Sequence, residues 1–399
     1  MKHRILFVDD EPRVLEGLKR MLRSMRHEWG MEFKGNGQEA LAFLEHTEVD
    51  VVVSDVRMPG MNGVQLLKEI QCLYPHTIRI LLSGQSDEKM TLAAIGPVHQ
   101  YLAKPCEADI LKATIARSCV LGTLLDNEQV RRLVSQVEFL PTLPDLYLEL
   151  EQELQSSECS IERVATIMGK DVGMMAQVLK LVNSAFFGIQ QHISDPKQAV
   201  LFLGTATLKT LVLSFQVFQK LEAPQNFGFD QDRFCRHSLA TGELARKIMV
   251  AEKADVQMVE ETLAAAMLHD VGVLLMVSYF PDRYQESMAL AQEQNIPLHE
   301  AEHQTINTTH AEVGAYLLGL WGLTTPIIEA VAFHHTPLGS PYHQFSPLTA
   351  VHVATILMSE GKDGLLAKSV ANNMSMEYLE QVGLVDRVPY WQNLIDVPV

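Results

Sequence analysis

The chain has 399 residues, of which 47% are apolar and 20% charged, enough for two or three packed domains. Its formal net charge of −17 is uneven: residues 1–120 hold 15 Lys+Arg against 16 Asp+Glu, and the remainder 17 against 33. Nucleic-acid affinity rests largely on phosphate neutralisation by basic side chains, so the acidic remainder is a poor DNA binder. No apolar run approaches the about 20 residues of a membrane span, and the N-terminus enters a strand too early for a signal peptide. The five cysteines, Cys72, Cys106, Cys119, Cys159 and Cys235, form no Cys-x-x-Cys pair, so neither a disulfide framework nor a cysteine zinc site is expected. A reduced cytoplasm fits that usage.

In chain order, the first elements are short apolar runs that each stop at a polar residue. Ile5-Leu6-Phe7-Val8 stops at Asp9-Asp10, and Val51-Val52-Val53-Ser54 stops at Asp55. Arg79-Ile80-Leu81-Leu82 stops at Ser83-Gly84, and His99-Gln100-Tyr101-Leu102-Ala103 stops at Lys104-Pro105. Helical patterns such as 11–26 and 63–73 lie between them. Strands alternating with helices predict a doubly wound α/β domain with a parallel sheet, its site at the carboxyl ends of the strands. All five polar positions fall there.

Residue type gives the roles. Three converging carboxylates repel one another, and a hard cation such as Mg²⁺ with oxygen ligands and retained waters resolves this. Asp55 is then the nucleophile for a phosphoryl group, Asp9 and Asp10 hold the metal, Lys104 neutralises phosphoryl oxygens, and Ser83 donates a hydrogen bond to them.

Residues 1 to 120 resemble the receiver domain of two-component response regulators. The matching stretches are Val8-Asp9-Asp10-Glu11-Pro12, Ser54-Asp55-Val56-Arg57-Met58-Pro59-Gly60-Met61-Asn62-Gly63, Leu82-Ser83-Gly84 and Tyr101-Leu102-Ala103-Lys104-Pro105. The resemblance implies phosphorylation of Asp55 by a sensor histidine kinase. It implies Mg²⁺ on Asp9, Asp10, Asp55 and the Arg57 backbone carbonyl, a cis peptide before Pro105, and Tyr101 as the switch aromatic.

Residues 107–118 read as the last receiver helix. The pattern continues over 121–138, a helical linker that joins the two parts, pairs two protomers as a homodimer, or packs on its own output domain. From Leu140 onward no strand is expected. Pro141-Thr142-Leu143-Pro144 marks a break and a helix start, and Ser194-Asp195-Pro196 another. Helices are expected at 161–168, 171–184, 205–218, 230–251, 255–279, 308–322, 324–335 and 346–360, making 139–360 an all-α output domain and 361–399 a C-terminal extension.

One stretch carries chemistry. Residues Thr262–Phe280 are apolar nearly all round, as in a buried helix, yet His269-Asp270 lies inside it. A buried imidazole–carboxylate pair costs several kcal/mol unless hydrogen-bonded, paired or metal-bound. His237, His310 and the pair His334-His335 lie on neighbouring predicted helices. Histidine and aspartate suit transition metals, and such a set could activate water against a phosphoester. His192, His299, His303, His343 and His352 are read as ordinary core or surface histidines.

Residues 135–360 resemble the HDOD domain, a helical relative of the HD and HD-GYP phosphohydrolases. The carriers are Leu140-Pro141-Thr142-Leu143-Pro144, Leu179–Gly188, Ala199–Gly204, His237-Ser238, Leu268-His269-Asp270-Val271-Gly272, His310-Ala311-Glu312-Val313-Gly314 and His334-His335. Two departures separate the chain from the hydrolases. Thr355 stands where a late aspartate ligand belongs, and no Gly-Tyr-Pro follows His334-His335. The expectation is a phosphorylation-controlled response regulator with a degenerate, largely non-catalytic output that retains at most a residual transition metal. Its partner would be a signalling protein, such as a cyclic-di-GMP enzyme or a kinase, with no DNA and no membrane. The alternative is a receiver-controlled, metal-dependent phosphohydrolase acting on cyclic di-GMP or another nucleotide.

Overall fold

The structure is a computed structural model. It describes residues 2–84, 97–121, 125, 127–138, 140–156, 158–183, 192–215, 219–220, 229–359 and 374–395. The chain divides into two compact units, the first from residues 1–138 and the second built mainly from residues 139–399. Each is described by itself.

The first unit is a five-stranded sheet in the order β2-β1-β3-β4-β5, from β1 (His3–Val8), β2 (Trp29–Lys34), β3 (Val51–Asp55), β4 (Ile78–Ser83) and β5 (Gln100–Ala103). Every pairing is parallel. This is the doubly wound order with a switch point between β1 and β3, where sites form. The pattern reading did not assign β2. Its sequence WGMEFK mixes Gly and Glu into a half-exposed edge strand, so it lacks the buried apolar run of the others. Helices α1 (Pro12–Met21), α2 (Gly37–Leu44), α3 (Gly63–Leu73) and α4 (Ala108–Leu121) flank the sheet. The expected helix 11–26 is shorter, ending at Met21 before a 3₁₀ turn at Arg23–His27.

Local chemistry fixes the loop from β3 to α3. Asn62 accepts from the Gln65 backbone N–H at 2.9 Å while the Gln65 side chain accepts from Asn62 N–H at 3.0 Å, a reciprocal cap. A Cβ on Gly63 would lie 1.8 Å from the Asp55 carbonyl oxygen, so only glycine lets α3 start so close to the end of β3. Arg79 is fully buried, and its guanidinium donates to the carbonyls of Pro75, Thr77, Pro97 and Ser135 while facing His99.

Helix α5 (Glu128–Val134) starts at Asn127, whose extended backbone and side-chain cap on Val130 N–H interrupt the helix expected over 121–138. Residues 122–124 and 126 of that expectation lie outside the described residues.

The second unit is helical. Its first helices are α6 (Pro144–Gln155), α7 (Ile161–Met168), α8 (Val172–Val182) and α9 (Pro196–Phe215). Gly204 sits inside α9 at φ 71° and breaks it. Parts of the expected 171–184 and 205–218 helices, and residues 184–188 of the HDOD-like stretch, lie outside the described residues. One expectation is corrected: Pro141–Thr142 (β6) and Gln219–Lys220 (β7) pair in parallel, a two-residue ladder too short to leave an apolar pattern.

There follow α10 (Gln231–Ala251), α11 (Val256–Leu268), α12 (Val271–Tyr279), α13 (Pro281–Gln294), α14 (Leu298–Ile306), α15 (His310–Leu320), α16 (Thr325–Phe333) and α17 (Pro347–Ser359). The expected helix 255–279 is therefore two, parted at His269-Asp270. Helices α13 and α14 are absent from the sequence expectation because α13 is mostly polar and carries only three buried residues. Helices α10, α11, α16 and α17 pack on one another and form the centre of this unit. The stretch Val256–Tyr279 is long and apolar enough to cross a membrane by length and composition, unlike the sequence reading, and 78% of its apolar window is buried in the fold. The last turns, α18 (Met376–Gln381) and α19 (Val388–Gln392), belong to the expected extension 361–399. Trp391 Nε1 and the Arg387 guanidinium both donate to Glu252, tying that end to α10.

Candidate functional site

In the first unit, Asp55 is the last residue of β3 and Asp9 follows β1, with 8% and 2% of their surfaces exposed. Lys104, just past β5, lies 2.8 Å from Asp9 Oδ2 and 2.5 Å from Asp55 Oδ1. Burial raises the Asp55 pKa, and Lys104 only partly offsets it. Burial also opposes the Lys104 charge, but its bonds to Asp55 and Asp9 win and hold the ammonium above its ordinary value. Backbone N–H groups of Glu11 and Arg57 donate to Asp9 Oδ1 and Asp55 Oδ2, leaving the other oxygen of each to Lys104. A shallow cleft of about 480 Å³ opens there, lined by Asp10, Arg57, Met58, Pro59, Gly60 and Asn62. Ser83 ends β4 and Tyr101 is buried in β5 against the core that holds Leu66, Ile70 and Leu81. The Lys104–Pro105 peptide is cis. The oxygen-only donor set, with a single ammonium against Asp9 and Asp55, fits a hard divalent cation.

The second unit assembles all six candidate output residues around one carboxylate. Asp270 Oδ2 lies 3.1 Å from His269 Nε2, and Asp270 Oδ1 lies 3.3 Å from His310 Nε2 and 3.5 Å from His334 Nε2. His335 Nε2 is 2.9 Å from His310 Nε2, and the His237 ring lies 5.6 Å from that of His269. Two overlapping groups result, Asp270-His310-His334-His335 and His237-His269-Asp270, and in each the donor atoms lie within 4.8 Å of one another. Glycine again permits the approach: a Cβ on Gly272 would lie 2.0 Å from the His310 carbonyl oxygen.

The far side of each ring is anchored. His269 and His334 cap the carboxyl ends of α11 and α16, and their Nδ1 atoms donate to the Ala266 and Val331 carbonyls at 2.6 and 2.8 Å. That fixes the proton on Nδ1 and leaves Nε2 facing Asp270. Lone pairs aimed at a carboxylate repel it unless a proton or metal ion lies between, and outer partners of this kind are typical of metal-ligating histidines. Among the described residues, His269 Nε2 and His334 Nε2 have no well-oriented hydrogen-bond partner. Burial pushes His237 and His334 down to about 4, favouring the neutral, ligating form. Burial also opposes charge on His310, but Glu302 and Asp270 outweigh it and push that ring up to about 10. The donor set, three or more imidazoles with one carboxylate, fits a borderline transition metal.

Three residues were not among the sequence candidates, and two of them, His299 and His352, were read there as ordinary core or surface histidines. Glu302, fully buried on α14, accepts from both the Nδ1 and the backbone N–H of His310, at 2.7 and 3.0 Å. His299, from the same helix, stacks on His335 with ring centroids 4.5 Å apart. His352 donates from Nδ1 to the His334 carbonyl and accepts at Nε2 from Ser375 N–H. No signal in the sequence marked Glu302, eight residues before His310, as buried. Thr355 is 5% exposed on α17, and its Oγ1 has no hydrogen-bond partner among the described residues.

An acidic pocket at the switch point of a parallel sheet, followed by a helical unit centred on a histidine–aspartate cluster, defines a receiver joined to an HD-like output. The family comparison agrees. Residues 5–116 match the response regulator receiver domain and residues 140–337 match the HDOD domain, so the chain carries a receiver domain followed by an HDOD domain. It is similar to an uncharacterized protein of Treponema pallidum, at 26% identity over 59% of this chain and 46% of that one. It is also similar to the hydrogenase transcriptional regulatory protein HoxA of Cupriavidus necator, at 30% over 44% of this chain and 36% of that one. The chain thus spans less than half the length of these relatives. Among solved structures it resembles the signal receiver domain of an HD domain-containing protein from Pseudomonas fluorescens, at 33% identity and TM-score 0.29 over 30% of this chain and 95% of that one. An HDOD domain protein of unknown function from Geobacter sulfurreducens aligns at 22% and TM-score 0.34 over 69% of this chain and 96% of that one.

Proposed function

We propose that a sensor histidine kinase phosphorylates Asp55 and that this switches a largely non-catalytic output which regulates a protein partner. The observation that carries the reading is the Asp55–Lys104–Asp9 cluster at the carboxyl edge of the sheet, with its two short ion pairs. Asp9, Asp10, Asp55 and the Arg57 carbonyl would hold Mg²⁺, which neutralises charge on the phosphoryl donor when bound. Asp55 attacks the phosphorus of the kinase's phosphohistidine, and the P–N bond breaks with its electron pair returning to that imidazole. Lys104 takes the phosphoryl oxygens, Ser83 turns toward them, and Tyr101 repacks. Residues 1–120 form the receiver in this reading, 121–138 the link, 139–360 the output and 361–399 its extension. The partner is a signalling protein, such as a cyclic-di-GMP enzyme or a kinase. The acidic surface disfavours DNA.

The histidine cluster supports a retained transition metal on Asp270, His310, His334 and His335. It also keeps a second reading in view, a metal-dependent phosphohydrolase, because two donor groups share Asp270. Thr355 and the missing Gly-Tyr-Pro weigh against it, as does a centre whose histidines are nearly all inaccessible. Two assays test the pair: labelling of Asp55 by acetyl phosphate with Mg²⁺, and turnover of cyclic di-GMP by metal-loaded protein. No label on Asp55 overturns the first reading. Robust turnover abolished by His269→Ala promotes the second.

A further inference from the structure

His310 differs from the other anchored histidines in its place on the backbone. His269 and His334 stand at helix carboxyl ends, where unpaired carbonyls are available to hold Nδ1. His310 opens α15, and a helix amino end offers only N–H groups. An acceptor for its Nδ1 must come from elsewhere. Glu302 supplies it from α14, with one oxygen taking both the ring and the backbone donor of His310. Its other oxygen, Oε1, is buried and has no hydrogen-bond partner among the described residues, so the bond to His310 is made by one oxygen alone.

The number and spacing of the donors around His310 favour one of the two groups. A tetrahedral ion with bonds of roughly 2.0–2.1 Å spaces its ligand atoms about 3.3–3.4 Å apart. The Asp270–His310 and Asp270–His334 separations of 3.3 and 3.5 Å lie near that edge, and His335, whose Nε2 is closer to that of His310 at 2.9 Å, makes a fourth donor. The other group has three donors and must share Asp270. The ion pairs of these histidines are with Asp270 and Glu302, two negative charges that balance one divalent ion. A second ion would leave a net double positive charge in a dry core, which is costly.

Resting on the transition-metal reading above, we infer that Glu302 is the positioning residue of this centre. It holds His310 with Nε2 as the donor and, with Thr355 in place of a carboxylate, confines the centre to one divalent ion on Asp270, His310, His334 and His335.

The test uses the full chain with excess Mg²⁺, which occupies the oxygen-only receiver site, titrated with Co²⁺. The readouts are the visible d–d spectrum and bound cobalt per chain. The parent should bind one Co²⁺ with an intense, nitrogen-rich tetrahedral spectrum. Glu302→Gln should weaken binding about 10- to 100-fold and shift the spectrum, with Glu302→Asp recovering part of the loss. Thr355→Asp should raise uptake toward two ions, because α17 packs on α10 and α11, which carry or adjoin His237 and His269. A parent that takes up no Co²⁺ overturns the metal reading and this inference with it. Uptake by the parent with unchanged affinity and spectrum in Glu302→Gln overturns the positioning role alone. Two ions in the parent overturn the single-ion limit, and that result does not depend on any variant folding.

Discussion

Lys104 Nζ lies 2.5 Å from Asp55 Oδ1, so the proposed nucleophile is already paired with the cation proposed to receive the phosphoryl oxygens. Labelling by acetyl phosphate with Mg²⁺ is expected in the parent and absent in Asp55→Asn. Asp10→Ala should also lose it, with Asp55 intact, through loss of the metal. Because burial raises the Asp55 pKa, labelling should fall on acidification at a pH above the ordinary carboxylate value of 3.8. A mass spectrum of Asp55→Asn still carrying the phosphoryl adduct would refute the assignment.

The report of phosphorylation is expected to pass through Ser83 and Tyr101. Such a switch is a shift between two packings, limited by how differently the phosphoryl group contacts each. Hydrogen exchange over 98–118 should change when beryllofluoride is added. Identical exchange with and without it would remove this route.

Asp171 offers a pH test of stability. Its carboxylate accepts from Leu143 N–H at 2.6 Å and Met174 N–H at 2.8 Å, yet burial pushes its pKa up to about 6. A raised folded pKa contributes stability that is full below the unfolded value near 3.8 and is lost as pH rises through about 6. Asp171→Asn keeps an acceptor and removes the titration. Relative to the parent, it should gain stability from pH 4 to pH 7, by up to about 3 kcal/mol. Urea midpoints differing by a constant amount across that range would contradict the argument.

Gly272→Ala should damage the second unit through packing alone. Its methyl group would meet the His310 carbonyl, forcing α12 away from α15 at a cost of about 1–3 kcal/mol. The Asp270–His310 pair would open with it. A melting temperature equal to the parent's would show that the crossing has slack.

No strong hydrolysis of cyclic di-GMP is expected from the metal-loaded chain, nor from Thr355→Asp alone. A hydrolytic two-metal centre needs ligands that hold both ions and lower the pKa of bound water. His269→Ala should instead lower the melting temperature, since Asp270 loses a buried partner worth about 1–3 kcal/mol. Turnover in the parent that vanishes in His269→Ala would reverse this expectation.

The receiver was legible because its information is local. Four strands are short, mostly apolar runs, and each polar residue that ends one falls at the same sheet edge. The strand Trp29–Lys34 escaped because edge strands need no apolar run. The six output residues were legible as residues but not as an arrangement. Helical period says which face is buried, not that His269-Asp270 breaks a helix. Glu302 was hidden for a different reason: it lies on α14, an element the pattern did not assign, across a turn from its partner His310. Nothing in a polar stretch distinguishes a buried glutamate from a solvated one.

The break between α11 and α12 also has an electrostatic consequence. Aligned peptide dipoles leave each helix with a negative pole at its carboxyl end and a positive pole at its amino end. His269 and His334 stand on the negative poles of α11 and α16, while Asp270 stands on the positive pole of α12. The backbone thus favours a cation beside those imidazoles and an anion at the carboxylate. One continuous rod from Val256 to Tyr279 would place no pole near its middle, and its apolar composition would then describe a span and nothing more.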